Sequence, residues 1–451
     1  MAAVLSASLA LGGVSEAFVA HEPTSLTVVA DIGVNSDNLP PWLNTASLFS
    51  VSIDPAALQR ATGISLLSGL SRLSRSDIVN YVTGNPQQIS ALLDARLAPS
   101  DVSAWWQRMT ALARSDMIAG APSLVGNLEG VPYRMRDKAN LLTLDAAVRQ
   151  LQDHLDAGVG KGVRQQVTRQ LAMLEQVREA LIPKKGEASR TLVALDITGQ
   201  GRAVIADGDL DRANYISYLI PGMYFSVDQQ IVDWADTASV LHDQQQDWLR
   251  RLPDADDPGA TPTVATIAWI GYQTPDLLNV GGLDLAQGGA DALERSWAGI
   301  RASRGSDQPF LAVLAHSYGS TAALIALERH TVEIDALALV GSPGSTAQSV
   351  AALDVANGNV FVGEADWDPV VNTAFYGSDP GTSSYGATRM GVAGGTDPLD
   401  HDHLAPSFGH NDYFKPGSES LRNMALIGID RGAYVTSGTR IADGTTLALS
   451  R

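Results

Sequence analysis

Phe310-Leu311-Ala312-Val313-Leu314-Ala315-His316-Ser317-Tyr318-Gly319-Ser320-Thr321-Ala322-Ala323-Leu324-Ile325 is the stretch that decides the fold. Its first five residues are apolar without alternation, the pattern of a strand buried on both faces. From Ser320 to Arg329 the spacing predicts a helix. Between the two, Ala315-His316-Ser317-Tyr318-Gly319 has to turn the chain sharply. A serine on such a turn sits in strained backbone geometry, with its hydroxyl above the carboxyl edge of the sheet. Neighbours two residues either side must be small, because strand and helix backbones approach closely there. Gly319 is small, and so is Ala315, which fills the position where glycine is commonest. The helix N-terminus behind the serine favours a developing negative charge. Ser317 is therefore the expected nucleophile.

Outward from this turn, short β-rich runs alternate with helical ones. Leu192–Asp196 and Ala203–Ile205 read as a strand pair across Gly199-Gln200-Gly201, followed by strands at Tyr215–Ile220, Thr263–Ile270, Ala336–Val340 and Asn359–Val362. Helical runs cover Val227–Leu252, Leu283–Arg301 and Ser418–Leu426. Apolar strands separated by helices indicate a mostly parallel sheet covered on both faces, with the first pair as an antiparallel edge. Before Gly186 the pattern is different. Apolar residues recur at three- and four-residue spacing in Ile89-Leu92-Leu93-Leu97 and, after the Pro99-Ser100-Asp101 break, in Val102-Trp105-Trp106-Met109. Longer helices are expected from Thr143 towards Leu155 and from Val163 to Leu181, and Pro183-Lys184-Lys185-Gly186 ends them. Residues 1–84 are poorly readable, 85–186 form a helical region and 187–451 a catalytic domain. The expected fold class is α/β, an α/β-hydrolase fold with a helical N-terminal extension.

Position along this pattern selects the partners of Ser317. Tyr215–Ile220 runs into Pro221-Gly222-Met223-Tyr224, a strand ending in a glycine-containing turn two strands upstream, where this fold places its second oxyanion donor. Backbone N–H groups suit that task because they need no reorganisation during reaction. Tyr318 and Met223 are assigned to it, with Tyr224 as the neighbouring option. The acid should stand on a loop after a later strand. Gly363-Glu364-Ala365-Asp366-Trp367-Asp368-Pro369-Val370 offers Glu364, Asp366 and Asp368, and the proline that stiffens the chain after Asp368 favours that residue over Asp366. His401, His403 and His410 lie beyond the acid. Gly409-His410-Asn411-Asp412 has the turn residues that let an imidazole reach over the sheet edge, so His410 is the expected base. His316, next to the serine, reads as packed. Asp400-His401-Asp402-His403 has alternate residues suited to a divalent metal, but a solvated loop is the simpler reading, and no cofactor or metal is expected.

Composition bounds the alternatives. With 49 acidic and 31 basic side chains the formal charge is −18, a field that repels phosphate backbones and argues against nucleic acid as a partner. The chain contains no cysteine, which excludes disulfides, zinc thiolates and a cysteine nucleophile. Ala2 to Val14 form an apolar, small-residue run that resembles part of a signal peptide, but no Lys or Arg precedes it and it is too short to span a bilayer. Localisation, cytoplasmic or exported, stays open, as does oligomeric state.

Several passages together resemble an actinobacterial family of predicted α/β-hydrolases grouped as a domain of unknown function. They are Trp105-Trp106, Val125-Gly126-Asn127-Leu128-Glu129-Gly130-Val131-Pro132 with Arg136-Asp137-Lys138-Ala139-Asn140, and the turn Ala315-His316-Ser317-Tyr318-Gly319-Ser320-Thr321. Val340-Gly341-Ser342-Pro343-Gly344 and Lys415-Pro416-Gly417-Ser418-Glu419-Ser420-Leu421-Arg422-Asn423 complete the set. The resemblance runs from about Trp105 to Leu426 and implies an α/β-hydrolase domain with a helical N-terminal extension. The family usually has glycine at the position of Ala315, and Gly394 to Ser407 reads as an insertion ahead of His410. The expected activity is hydrolysis of a carboxylic ester, of a small molecule or lipid, through an acyl-enzyme on Ser317. Acyl transfer by the same three residues and a non-catalytic binding module are the alternatives. The N-terminal helices are expected to form part of the pocket wall.

Overall fold

The computed structural model describes residues 55–253, 259 and 262–438, so the leader-like run near the N-terminus lies outside the described residues. Eight strands form one sheet: β1 (Arg190–Asp196), β2 (Arg202–Asp207), β3 (Tyr215–Ile220), β4 (Val264–Ile270), β5 (Phe310–His316), β6 (Ala336–Val340), β7 (Val360–Gly363) and β8 (Thr388–Arg389). Their order is β1-β2-β4-β3-β5-β6-β7-β8. β2 runs antiparallel to β1 and β4, and every pairing from β4 to β8 is parallel. All residues of β4, β6 and β7 are buried, which explains why their sequences are continuous apolar runs.

Among the described residues seven short helices, α1 to α7, come first: Pro55–Arg60, Gly63–Leu70, Arg75–Gly84, Pro86–Asp94, Pro99–Arg108, Ala111–Gly120 and Pro122–Asn127. Four begin with proline, at Pro55, Pro86, Pro99 and Pro122, where its missing N–H costs nothing. Ser74 and Thr110 cap two others through their side chains. Trp105 and Trp106 are buried among them, with ring centroids 5.9 Å apart. The longer helices are α8 (Tyr133–Asp156), α9 (Lys161–Ala180), α10 (Val227–Arg251), α11 (Asp284–Arg304), α12 (Tyr318–Glu328) and α13 (Glu419–Ile427).

Packing crosses the break in sequence pattern at Gly186. Leu144 and Val148 of α8 and Leu174 and Val177 of α9 join α10, α13 and one face of the sheet in a common core. Helices α11 and α12 cover the other face. The chain leaves β3 for α10 and β5 for α12, on opposite faces, although β3 and β5 are neighbours. Such a switch point opens a crevice at the carboxyl ends of the strands, where open α/β sheets bind ligands.

Among the described residues the outer edge of β1 is closed by side chains and not by another strand. Asn127 accepts from the Leu195 N–H (3.1 Å) and donates to the Leu195 carbonyl (2.9 Å). On α8, Asp137 accepts from the Leu192 N–H (2.8 Å) and Asn140 donates to the Leu192 carbonyl (2.9 Å). Arg136, buried beside them, donates to the Gly126 carbonyl and forks onto Glu129. These residues belong to the passages between Gly126 and Asn140 that resemble the hydrolase family, and their contacts give those motifs a physical purpose.

Candidate active site

Ser317 lies at the switch point, between β5 and α12, with φ +53° and ψ −131°. A non-glycine residue held there costs on the order of 1–3 kcal/mol. The surrounding turn over-determines it. Its N–H donates to Val340 O (3.0 Å), and its carbonyl accepts from the Ser320 N–H (2.9 Å). The end of β3 presses against the serine: a Cβ on Gly222 would stand 2.5 Å from Ser317 Cβ, so only glycine fits.

The structure brings Asp368 and His410 to Ser317. His410 Nε2 is 2.8 Å from Ser317 Oγ, and His410 Nδ1 is 2.9 and 3.0 Å from the two Asp368 oxygens. The Asp368 side chain has no solvent exposure, and that of His410 is 18% exposed. Burial alone would push the Asp368 carboxyl up. Hydrogen bonds from His410 and Tyr413, the His410 charge and the Val370 N–H outweigh it and hold the pKa below the usual carboxylate range. Gly341, with φ +58°, follows β6 directly beneath this pair; a Cβ there would lie 3.0 Å from Asp368 Oδ2 and 3.1 Å from His410 Cε1.

Tyr413 is a residue of the site that sequence reasoning missed. Its hydroxyl donates to Asp368 Oδ2 (2.7 Å) and accepts from the Ala365 N–H (2.8 Å). Burial, then the adjacent carboxylate, raises its pKa, so it stays a donor. The one available signal was the aromatic pair Tyr413-Phe414 directly after the polar residues His410 to Asp412. His316 is buried, as expected, but not merely packed: its Nε2 lies 2.7 Å from the His410 carbonyl oxygen.

The competing residues stand apart. Asp366 is exposed, and its carbonyl accepts from the Gly409 N–H (2.9 Å), so it helps carry the histidine loop through its backbone. Glu364 pairs with Arg389 at 2.5 Å. His401 and His403 are exposed on or beside a two-residue strand pair, β9 (Gly395–Thr396) and β10 (His403–Leu404), while Asp400 pairs with Arg251 at 2.5 Å. Among the described residues no group of three or more His, Asp or Glu side chains is placed to hold a metal ion. The insertion-like stretch is firmly tied down. Arg422 forks onto Asp397 (2.7 and 2.8 Å), with both side chains buried, and Glu419 accepts from the Gly394 N–H (2.8 Å). The Lys415–Asn423 motif thus fixes the segment that leads into His410.

Of the expected oxyanion donors, Tyr318 is the first residue of α12, so its N–H has no carbonyl to meet within the helix. The Met223 N–H makes no hydrogen bond among the described residues. The Tyr224 N–H is engaged by Pro275 O (3.0 Å), which removes the neighbouring option. A cavity of about 800 Å³ opens over Ser317 and His410. Met223, Phe225, Trp234 and Phe414 line it, with Gln230, Asp233 and Thr237 farther along α10. Phe225, Trp234 and Phe414 make a continuous aromatic wall, with neighbouring ring centroids 5.0 and 5.1 Å apart. None of its lining residues comes from helices α1 to α9. The expectation that those helices wall the pocket is therefore wrong for the described residues: they attach at the β1 edge and the α10 and α11 faces instead.

Sheet order, the strand-to-helix serine turn and the flanking helices define an α/β-hydrolase fold with a helical N-terminal region. Residues 196–378 match the model of a family described as alpha/beta hydrolase. An uncharacterized protein of Mycobacterium tuberculosis is 27% identical over 394 residues, covering 76% of this chain and 57% of its own length. An uncharacterized protein of Mycobacterium bovis is 29% identical over 251 residues, covering 54% of this chain and 89% of its own. The resemblance to an actinobacterial hydrolase family read from the motifs is met by these matches; the chain spans little more than half the length of the first of these relatives. Among solved structures, an arylesterase aligns over 64% of this chain and 98% of its own at 13% identity and a TM-score of 0.32. An esterase of Pyrobaculum calidifontis aligns over 63% and 97% at 13% identity and a TM-score of 0.33. No helix among the described residues is long and apolar enough to cross a membrane.

Proposed function

We propose that the chain is a serine hydrolase that cleaves carboxylic esters through an acyl-enzyme on Ser317. The observation that carries this reading is the unbroken relay of short contacts, Ser317 Oγ to His410 Nε2 (2.8 Å) and His410 Nδ1 to Asp368 (2.9 Å). In the proposed reaction His410 takes the hydroxyl proton as Ser317 Oγ attacks the ester carbonyl, and Asp368 stabilises the imidazolium. The N–H groups of Met223 and Tyr318 receive the oxyanion. His410 returns the proton to the departing alkoxide, and a water molecule, activated by the same imidazole, releases the acid. The aromatic wall suits an apolar group on the substrate, a small-molecule or lipid ester.

A fluorophosphonate probe and a panel of esters test this. Wild type is expected to label at Ser317 and to hydrolyse at least one ester, whereas Ser317→Ala should lose labelling and on the order of 10⁴-fold or more in turnover. An intact wild type that neither labels nor turns over would defeat the reading. Product analysis with an added alcohol distinguishes hydrolysis from acyl transfer.

A further inference from the structure

Hydrogen bonds account for the His410 side chain, but its main chain is another matter. The residue sits in a turn outside any helix or strand, after Gly409 at φ +70°. Among the described residues, the hydrogen bond between His316 Nε2 and the His410 carbonyl oxygen is the only one made by the His410 backbone. It is short, 2.7 Å, and His316 is only 6% exposed, so water competes poorly for either partner. A carbonyl oxygen can only accept, so the His316 proton resides on Nε2.

We propose that His316 is a positioning residue for the base: its Nε2–H, donated to the His410 main-chain carbonyl, fastens the loop carrying the imidazole to the turn carrying Ser317. This inference rests on the proposed serine-hydrolase reading. The two attacking partners are then joined twice, through Ser317 Oγ and His410 Nε2 and through the preceding side chain and the His410 peptide. The second link matters because the first is broken and remade in every cycle, when the serine proton moves and the acyl group occupies Oγ. During that interval the His316 bond keeps the imidazole over the acyl carbon, where it must next activate water.

Chemistry at 316 fits that task. Burial, then the neighbouring His410, lowers the His316 pKa to about 4, so it acts as a neutral donor near neutral pH. The two imidazole rings lie 4.7 Å apart, and a cation at 316 would oppose the imidazolium that forms on His410. Tyr413 and Phe414 pack on the same ring, at 5.9 and 6.2 Å, and limit its rotation.

The test compares three variants. His316→Gln keeps an N–H within reach of the carbonyl, His316→Asn is one methylene too short, and His316→Phe keeps the ring without the donor. Each is checked for folding by near-UV circular dichroism, then assayed for ester turnover and for the rate of fluorophosphonate labelling. Losing a hydrogen bond that orients a reacting group costs on the order of 10- to 100-fold, so the Asn and Phe variants should lose roughly that factor in kcat, with KM falling alongside it where deacylation limits turnover. The Gln variant, whose amide N–H regains the carbonyl and so the placement of the imidazole, should recover to within about threefold of wild type. Deacylation, read as the ratio of steady-state to burst rate, should slow more than labelling. Equal rates for Gln and Asn, or a folded Asn variant at wild-type kcat, would overturn the inference. If the Phe variant does not fold, the Gln and Asn pair decides alone. Wild type that fails to label at all defeats the hydrolase reading itself, a different outcome from wild-type labelling with indifferent variants.

Discussion

A carboxylate with no solvent contact resists ionisation, and Asp368 stays charged only because donors converge on it from three directions: His410, Tyr413 and the Val370 backbone. A second buried titratable group, His316, is resolved the other way and stays neutral. Its imidazole is held to about 4 in the folded chain against an ordinary 6.5. Between those values the unfolded chain binds the extra proton, so the contribution of this group is fully present above 6.5 and drains away as pH falls towards 4. A shift of that size corresponds to a few kcal/mol, to order of magnitude. Urea unfolding of wild type at pH 7 and pH 4.5 should show this loss, and His316→Gln should flatten it; an unchanged pH slope in the variant would assign the acid sensitivity elsewhere. Ser317, Asp368 and His410 were legible because each is tied to a strand end or turn whose local pattern can be read. Tyr413 and the His316 bond were not, since a hydroxyl or ring nitrogen gives no local sign of a partner 45 or 94 residues away.

At the scale of elements, the turn after β3 is as decisive as the serine turn it touches. Gly222→Ala would place a methyl 2.5 Å from Ser317 Cβ, so either the serine or the Met223 peptide must move. A displacement approaching 1 Å at the reacting groups costs on the order of 10²-fold in rate. That loss should appear in kcat, with thermal stability changed far less; a fully active Gly222→Ala would disprove the close approach. The strands were readable from sequence because burial on both faces leaves them continuously apolar, and β3 and β6 fall on their expected limits. Helices α1 to α3 were not, because runs of 6 to 10 residues complete too few turns for a periodicity to emerge. The Pro183–Gly186 break is real in the chain but invisible in the core, since α8 and α9 carry apolar faces whose destination, the sheet, lies beyond it in sequence.

For the molecule as a whole, the N-terminal helices serve the sheet and not the pocket. The sequence linked them to the hydrolase motifs but could not say which face they meet, because the bonds run from side-chain amides to backbone atoms of β1. Asn140 donates to both Leu192 O and Gly126 O; in Asn140→Leu the Gly126 carbonyl keeps Arg136, but Leu192 O loses its side-chain donor. An unsatisfied buried polar group costs about 1–3 kcal/mol, and the variant should lose at least that much in chemical denaturation while a probe for Ser317 reacts normally in the folded fraction. Loss of labelling without loss of stability would instead tie these helices to the site.

Asn127, Asp137 and Asn140 have a consequence for assembly. Strands recruit strands through unoccupied amides, and here the outermost positions of β1 are already spoken for. A fragment starting near residue 187 would bare a ready template, and its expected fate is polymerisation into fibrils or precipitate, at a rate that rises steeply with concentration.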